Sequence, residues 1–135
     1  MPTLHLRVAP LQNPERYESL AAALTRITAD VLGKRSDVTV VTIDDLPAGR
    51  WFVGGRAVQR PAATLDITIT AGTNTPAQKA EFVRAAFAEL RRQLGAGGEL
   101  EEANYVTVRE APAADWGYGG QTQQARQQAR VRLAA

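Results

Sequence analysis

The sequence predicts an α+β fold in which two tandem β-α-β units form a four-stranded mixed sheet with both helices on one face. The prediction depends on three kinds of segment that each occur twice, at offsets of 61 to 65 residues: a strand, a helix, and a second strand with its turn. The chain of 135 residues is long enough for one hydrophobic core and short for two. We therefore expect one domain, 1–135, with repeats 2–60 and 61–120 and a C-terminal tail, 121–135.

The first strand of each repeat alternates apolar and polar residues. The segments are "PTLHLRV" at 2–8 and "ATLDITI" at 63–69. A period of two is typical of a strand with one buried face. Leu4, Leu6 and Val8 therefore share one face of the predicted sheet.

The helix of each repeat is 21 residues long, including its caps. The segments are "NPERYESLAAALTRITADVLG" at 13–33 and "TPAQKAEFVRAAFAELRRQLG" at 75–95. Each begins with a capping residue followed by Pro and ends on Gly, which are the usual signals for helix start and stop. Apolar residues recur at helical spacing, so each helix has one face that must pack on the sheet.

The second strand of each repeat leads into a Pro-Ala turn and then an aromatic-glycine turn. The segments are "VVTIDDLPAGRWFVGG" at 40–55 and "YVTVREAPAADWGYGG" at 105–120. A strand-helix-strand connection makes its two strands parallel and is right-handed, so both helices cover the same face. Val40 and Tyr105 then lie on the uncovered face, which favours a closed homo-oligomer.

Composition narrows the classes of function. The net charge is +2, without the large basic excess of a nucleic-acid-binding domain, and no cysteine and only one histidine are present. Disulfides, thiol nucleophiles and the usual zinc ligand sets are excluded, and we expect no metal and no organic cofactor. No segment has the length and hydrophobicity of a membrane span or a signal peptide, so we expect a cytoplasmic protein without nucleic-acid or membrane partners.

The doubled β-α-β unit, the Met-Pro start and the two aromatic-x-x-Gly-Gly turns together resemble the tautomerase superfamily. The resemblance is to 4-oxalocrotonate tautomerase, in its fused, double-length form, and extends from Pro2 to about Gly120. It implies a homotrimer that imitates a hexamer, and an N-terminal proline, exposed when Met1 is removed, as general base and acid. Trp51 and Trp116 match the active-site aromatic residue of the family.

The resemblance gives a catalytic base to only one of the two repeats. Ala63 aligns with Pro2, and an internal residue has no free amine. An α-amino group has a pKa of about 8, and burial against apolar groups lowers that pKa toward neutrality. An amine of this kind can take a proton from a carbon next to a carbonyl and return it elsewhere. We therefore expect keto-enol proton transfer on a small enol or 2-oxo acid, with Pro2 as the catalytic residue.

The chain departs from the family at the arginines that bind the substrate carboxylate. The corresponding positions hold Leu11 and Gln12 in the first repeat, Thr73 and Asn74 in the second, and Val40 and Tyr105 on the second strands. Asn74 and Tyr105 are the candidates to hydrogen-bond a substrate oxygen instead. Arg7, Arg56 and Arg109 are alternatives, although a solvated surface charge is the commoner role for each.

Two alternative functions stay open. A hydratase or a dehalogenase of the cis-3-chloroacrylic acid dehalogenase type needs a water-activating carboxylate, for which Asp115 is a candidate, although a turn-capping role is favoured there. A non-catalytic oligomeric module would retain the scaffold alone. We interpret His5 as a surface or interface residue, and the arginine-containing tail as an interface arm or a frayed end.

Overall fold

The computed structural model of the chain describes residues 2–95 and 98–134. Its strands lie in one four-stranded sheet and two short hairpins. They are β1 (Thr3–Ala9), β2 (Val40–Asp45), β3 (Phe52–Val53), β4 (Arg56–Ala57), β5 (Ala62–Thr70), β6 (Val106–Ala111), β7 (Gly117–Tyr118) and β8 (Gln121–Thr122). The helices are α1 (Pro14–Leu32), α2 (Pro76–Gly95) and α3 (Gln123–Ala134), with 3-10 turns at Ser36–Val38 and Ala48–Arg50.

The sheet has the order β2-β1-β5-β6. β1 is parallel to β2 and β5 is parallel to β6, whereas the two inner strands are antiparallel. Each parallel pair is one β-α-β unit, and the two units meet along β1 and β5. The predicted fold class and the predicted four-stranded mixed sheet are confirmed.

Both long helices start at the predicted residues, and α1 also ends where predicted. Asn13 accepts a hydrogen bond from the backbone N–H of Arg16 at 2.9 Å, and Pro14 is the first helical residue of α1. The helix ends at Gly33, whose φ of 69° is left-handed and therefore favours glycine. Thr75 caps α2 in the same way, by accepting from the backbone N–H of Gln78 at 3.1 Å.

The core lies between the sheet and α1 and α2, which both cover one face. Its largest fully buried side chains come from the alternating positions of β1 and β5 and from the apolar faces of both helices. They include Leu4, Leu6, Leu20, Leu24, Leu65, Ile67, Ile69, Phe82 and Leu90. Burial of this apolar surface is the main favourable contribution to folding.

The opposite face of the sheet has no helix over it in the described part of the chain. Val40 is 51% exposed and Tyr105 is 72% exposed there, as predicted. Thr3, Val40 and Thr68 are neighbours across three strands of this face.

The segment expected as a tail is ordered in two parts. Gln121 and Thr122 form strand β8 of the second hairpin, and residues 123–134 form α3. The first turn of α3 is tied back to the hairpin, because the backbone N–H of Gln123 donates to the carbonyl of Trp116 at 2.9 Å. Within the described residues, no helix combines the length and the apolar character needed to cross a lipid bilayer.

Candidate active site

Pro2 lies at the start of the inner strand β1 and its side chain is fully buried. It has the same alternation as Leu4 and Leu6, so its ring belongs to the helix-covered side of the sheet. Its carbonyl accepts a hydrogen bond from the backbone N–H of Val40 at 3.2 Å, which fixes the beginning of β1 against β2. The ring is therefore held inside the protein at one edge of the sheet.

Two loops meet at the end of the sheet where β1 begins. We call the region that these loops form with Pro2 the Pro2 edge, and the opposite end of the strands is the other edge. The loop after α1 contributes Lys34, whose Nζ donates to Thr73 Oγ1 at 2.8 Å. The loop after β5 contributes Asn74, whose Nδ2 donates to the carbonyl of Leu32 at 3.0 Å.

These contacts cross the end of β1. The loop with Lys34 leads into β2 and the loop with Asn74 leaves β5, and these strands flank β1 on its two sides. Neighbouring strands are about 4.8 Å apart, so the two loops bridge a gap of about 10 Å in front of Pro2. Pro2, Lys34 and Asn74 are thus gathered at one place by the sheet order.

Lys34 is the residue at this edge that the sequence reasoning missed. Its side chain is half-buried, and burial lowers the pKa of its ammonium group. Thr73 Oγ1 accepts from Lys34 and donates to the carbonyl of Thr70 at 2.6 Å, so the acceptor of the lysine is itself held in place. The signal in the sequence is a Lys directly after the helix-stopping Gly33, in the loop that leads to the strand beside Pro2.

Asn74 lies at the Pro2 edge, and its amide already serves the fold. Nδ2 donates both to the carbonyl of Leu32 and to Gln78 Oε1, at 3.0 and 3.1 Å. An amide nitrogen has two protons, so both are in use. Asn74 therefore ties the end of α1 to the start of α2 and would have to release one of these bonds to bind a ligand.

The second hairpin, β7 with β8, also starts at the Pro2 edge. β6 runs parallel to β5 and its last residue, Ala111, accepts from the backbone N–H of Ala71 at 2.9 Å, where β5 ends. The hairpin follows from there and turns through Gly119 and Gly120, with φ of 61° and 80°. Both values are in the left-handed region, so the turn favours glycine at both positions.

The hairpin is held against α3 through Tyr118. A guanidinium N–H of Arg126 in α3 donates to the carbonyl of Tyr118 at 2.9 Å. The same guanidinium stacks on the Tyr118 ring, with 3.8 Å from the guanidinium carbon to the ring centroid.

Trp116 begins this hairpin and is half-buried. Its indole Nε1 is buried and has no hydrogen-bond partner among the described residues. A shallow cavity of about 270 Å³ lies beside it, lined by Asp115, Gln121 and Thr122 among others. Asp115 is exposed, and its backbone N–H closes a turn onto the carbonyl of Pro112 at 2.9 Å.

Trp51 and Tyr105 lie at the opposite edge of the sheet in the same chain. Leu65 of β5 pairs with Val106 of β6 on one side and with Leu6 of β1 on the other. Tyr105 directly precedes Val106 in this register. It is therefore level with Arg7, five residues along β1 from Pro2, or about 16 Å at 3.3 Å per residue. Trp51 follows the end of β2, which is also the far end from Pro2. Neither aromatic ring can reach Pro2 of its own chain.

The uncovered sheet face has a depression of about 470 Å³ next to the start of β1, lined by residues that include Thr3, Val40 and Arg109. Two pairs of polar side chains lie on this face. His5 Nε2 lies 2.7 Å from Asp44 Oδ2, and an Arg109 guanidinium nitrogen lies 3.4 Å from Asp66 Oδ1. Of the three arginines considered from the sequence, Arg109 is the one on this face near Pro2.

In each repeat, one side chain of the helix contacts a carboxylate of the second strand, and the helix residue differs between the two repeats. In the first, the Tyr17 hydroxyl donates to the carboxylate of Asp45, which also accepts from the backbone N–H of Gln12 at 2.8 Å. The Tyr17 bond is the largest cause of both the lowered pKa of Asp45 and the raised pKa of Tyr17. In the second, Lys79 and Glu110 form an ion pair at the Pro2 edge.

The sequence profile of a family described as "Tautomerase enzyme" matches residues 2–60. The chain is also 34% identical over 59 residues to a Dickeya dadantii (strain 3937) protein named "Probable tautomerase K2", a match that covers 43% of this chain and 88% of that protein.

Two similar solved structures are double-length proteins. The "F6 fused 4-OT wild type asymmetric trimer" has a TM-score of 0.78 and 26% identity, covering 92% of this chain and 98% of its own. The "Native Fused 4-OT" has a TM-score of 0.76 and 27% identity, covering 91% and 97%. These matches extend over both repeats, which the family profile does not.

Proposed function

The chain belongs to the tautomerase family, and we propose that it is an isomerase in which the Pro2 nitrogen moves a proton on a small enol or 2-oxo acid. The observation that carries the proposal is the full burial of Pro2 at an edge that also holds a lysine and a tryptophan. Removal of Met1 converts the amide nitrogen of Pro2 into a secondary amine with a basic lone pair. Burial disfavours the charged form of such an amine and so lowers its pKa toward neutral pH.

The reaction is a proton relay without net oxidation or hydrolysis. The neutral amine takes a proton from the carbon next to the carbonyl of the substrate, and the electron pair of that C–H bond moves into the enolate. The resulting ammonium then returns the proton to the enolate oxygen, which gives the enol, and the reverse sequence gives the keto form. A base whose pKa is near the working pH performs both transfers efficiently.

Charge that develops on the enolate oxygen needs a hydrogen-bond donor or a cation. In one chain, the ammonium of Lys34 at the Pro2 edge can supply it, because Thr73 uses only one of its three protons. The indole of Trp116 supplies an apolar wall, which lowers the local dielectric constant and strengthens these interactions. Trp116 and Asn74 remain the substrate-binding residues that we propose from the same chain.

We also propose a homotrimer, which would complete the site. The F6 fused 4-OT protein is a trimer, and Tyr105 is 72% exposed on the uncovered face and about 16 Å from Pro2 along the sheet. Tyr105, and likewise Trp51, can contribute to a site at Pro2 only from another copy. Val40 and Tyr105 would be covered when the uncovered faces of three copies assemble.

The carboxylates at the Pro2 edge favour a tautomerase over a hydratase or dehalogenase. Asp37 is paired with Arg35 at 2.6 Å, and Glu110 is paired with Lys79. A carboxylate held in an ion pair is a weaker base, because the neighbouring cation stabilises its charged form. Asp115 stays a candidate for activation of water only if a partner copy directs it toward Pro2.

The proposal is tested by two chains that differ only at the N-terminus. One is processed, with mass spectrometry confirming the loss of Met1, and the other retains Met1 and so has an amide in place of the amine. We expect the processed chain to ketonise phenylenolpyruvate or 2-hydroxymuconate, and the unprocessed chain to be slower by about 10²- to 10⁴-fold. Equal rates would refute Pro2 as the base. Inertness of the processed chain toward both compounds would favour a non-catalytic module.

A further inference from the structure

The second hairpin is short, so its closure depends on what packs against it. Its strands, β7 and β8, have two residues each. An isolated hairpin of two strands is at best marginally stable in water. Trp116 begins this hairpin and is half-buried. The position of the Trp116 ring therefore depends on contacts that come from outside the hairpin.

Arg126 of α3 makes two such contacts with a single guanidinium group. Its Nη2 donates to the carbonyl of Tyr118 at 2.9 Å, and the group stacks on the Tyr118 ring. A Cβ at Gly119 would lie 2.9 Å from the same Nη2, so the guanidinium lies directly against the turn of the hairpin. A hydrogen bond from a charged donor is stronger than one from a neutral donor, and stacking on an aromatic ring adds a cation-π attraction.

The guanidinium of Arg126 is drawn out of water to make these contacts. The side chain is half-buried, and its Nε is buried without a hydrogen-bond partner among the described residues. Burial of an unpaired donor lowers stability, and a fully solvated arginine would avoid that cost. The contacts with Tyr118 therefore have to outweigh it, which identifies the hairpin as the group that holds Arg126 in place.

The first repeat has no equivalent of this contact. At the offset of 65 residues, Val53 corresponds to Tyr118, and Pro61 corresponds to Arg126. Valine has no aromatic ring, and proline has no side-chain donor. Pro61 also leads directly into β5 instead of a helix. Only the hairpin that starts at the Pro2 edge is therefore held in this way within the described part of the chain.

From these observations we propose that Arg126 is a positioning residue, which holds the second hairpin closed and so fixes Trp116 at the Pro2 edge without contacting the substrate. The inference rests on the proposed isomerase function for its effect on turnover, although closure of the hairpin does not require turnover. When only a fraction of the free chains is closed, the apparent affinity for substrate falls by that fraction. Bound substrate selects the closed form, so Arg126 affects KM and not kcat.

The first experiment measures closure without turnover, by hydrogen exchange of the Gln123 amide and by the fluorescence of Trp116. The chain has two tryptophans, so a Trp51→Phe background leaves Trp116 as the single emitter. We expect Arg126→Met to lower the protection of the Gln123 amide about 10- to 100-fold. The emission of Trp116 should move to longer wavelengths, because the indole gains water.

The matched control is Arg130→Met, which makes the same change of charge one turn further along α3, at an exposed position. We expect it to leave both the protection and the emission unchanged. Arg126→Lys retains the charge but not the planar donor fork, so it should give an intermediate change. If Arg126→Met loses the protection of the β5 amides and so fails to fold, Arg126→Lys provides the test. Unchanged protection of Gln123 in the folded variant would overturn the inference, whether or not the protein is an enzyme.

The second experiment measures the kinetics of the processed chains with phenylenolpyruvate. We expect Arg126→Met to raise KM about 3- to 10-fold and to change kcat by less than about 2-fold. A purely structural role would lower the amount of folded enzyme, which reduces the apparent kcat and leaves KM as in wild type. That pattern, or an unchanged KM in spite of reduced protection, would contradict the positioning role. If protection depends on Arg126 but the processed wild-type chain turns over neither phenylenolpyruvate nor 2-hydroxymuconate, the isomerase proposal fails and the role of Arg126 in closing the hairpin stands.

Discussion

Substitution of Gly117 by alanine should open the second hairpin, because the added methyl group has no space. A Cβ at this position would lie 1.9 Å from the carbonyl oxygen of Gln121 and 2.6 Å from the Cα of Thr122. Carbon atoms at Cβ positions essentially never approach other atoms closer than 3.0 Å, so the opposing strand must move by more than about 1 Å. Both obstructing atoms are backbone atoms of β8, and a change of rotamer cannot relieve the clash.

The size of the effect follows from the hydrogen bonds that depend on the closed hairpin. The backbone N–H of Gln123 donates to the carbonyl of Trp116, and that of Gln124 to the carbonyl of Ala113, both at 2.9 Å. Each such bond contributes about 0.5 to 1.5 kcal/mol, so together they stabilise the closed hairpin by about 1 to 3 kcal/mol. Their loss should favour the open form by a factor of about 5 to 150.

The assay is amide hydrogen exchange in the folded protein, with activity as a second readout. Protection of the Gln123 and Gln124 amides should fall by about 5- to 150-fold in Gly117→Ala, while amides of the central strand β5 retain theirs. On the proposed function, kcat/KM should fall as well, because Trp116 loses its fixed position. Gly49→Ala is the control, since no atom lies within 4 Å of a Cβ at that exposed position. Unchanged protection of both amides in Gly117→Ala would refute the reasoning.

Three further predictions concern other parts of the molecule. The pKa of Asp45 is lowered chiefly by its hydrogen bond from the Tyr17 hydroxyl. A carboxyl group of lowered pKa stabilises the fold at pH values above its unfolded pKa, which is near 3.8. This stabilisation is lost as the pH falls through the folded pKa. Tyr17→Phe should therefore lower Tm at pH 7, and thermal melts should show the difference from wild type narrowing below about pH 4. Leu24→Ala, at a fully buried core position, should lower the free energy of unfolding by about 2 to 5 kcal/mol in urea titrations. Trp116→Ala should raise KM for phenylenolpyruvate more than Trp51→Ala, and equal effects would contradict the assignment of Trp116 to its own chain's Pro2.

The fold could be predicted from the sequence largely because its signals are local. The residues at the two ends of α1 determine its caps. Asn13 accepts a hydrogen bond from the Arg16 N–H, and Gly33 has a left-handed φ of 69°. The alternation of Leu4, Leu6 and Val8 likewise determines which face of β1 is buried. A doubled strand-helix-strand pattern then leaves few topologies to consider.

The site was harder to predict because it is assembled from segments that are distant in sequence. Trp51 and Trp116 are equivalent as sequence, yet the antiparallel arrangement of β1 and β5 places their hairpins at opposite edges of the sheet. Lys34 carries no motif, and its relation to Pro2 appears only once the loops after α1 and β5 are seen to meet. Asn74 was correctly placed at the second-repeat loop, but the bonds that occupy its amide depend on the position of Leu32.

The two edges of the sheet differ in charge as well as in the residue at which β1 and β5 begin, and on the proposed function this favours one site in each chain. At the Pro2 edge, the loop before the outer strand begins with Lys34 and Arg35. At the other edge, the corresponding loop carries Glu99, Glu101 and Glu102.

The chemistry at the two strand starts differs in the same direction. The backbone N–H of Ala63, the residue equivalent to Pro2, is held by Asn104 Oδ1 at 2.9 Å, and Glu101 is paired with Arg60 at 3.1 Å. The amide nitrogen of Ala63 has no basic lone pair to offer a substrate there. On the proposed function, the base and Lys34 therefore lie at the same edge of the sheet, and Ala63 at the other edge offers no base.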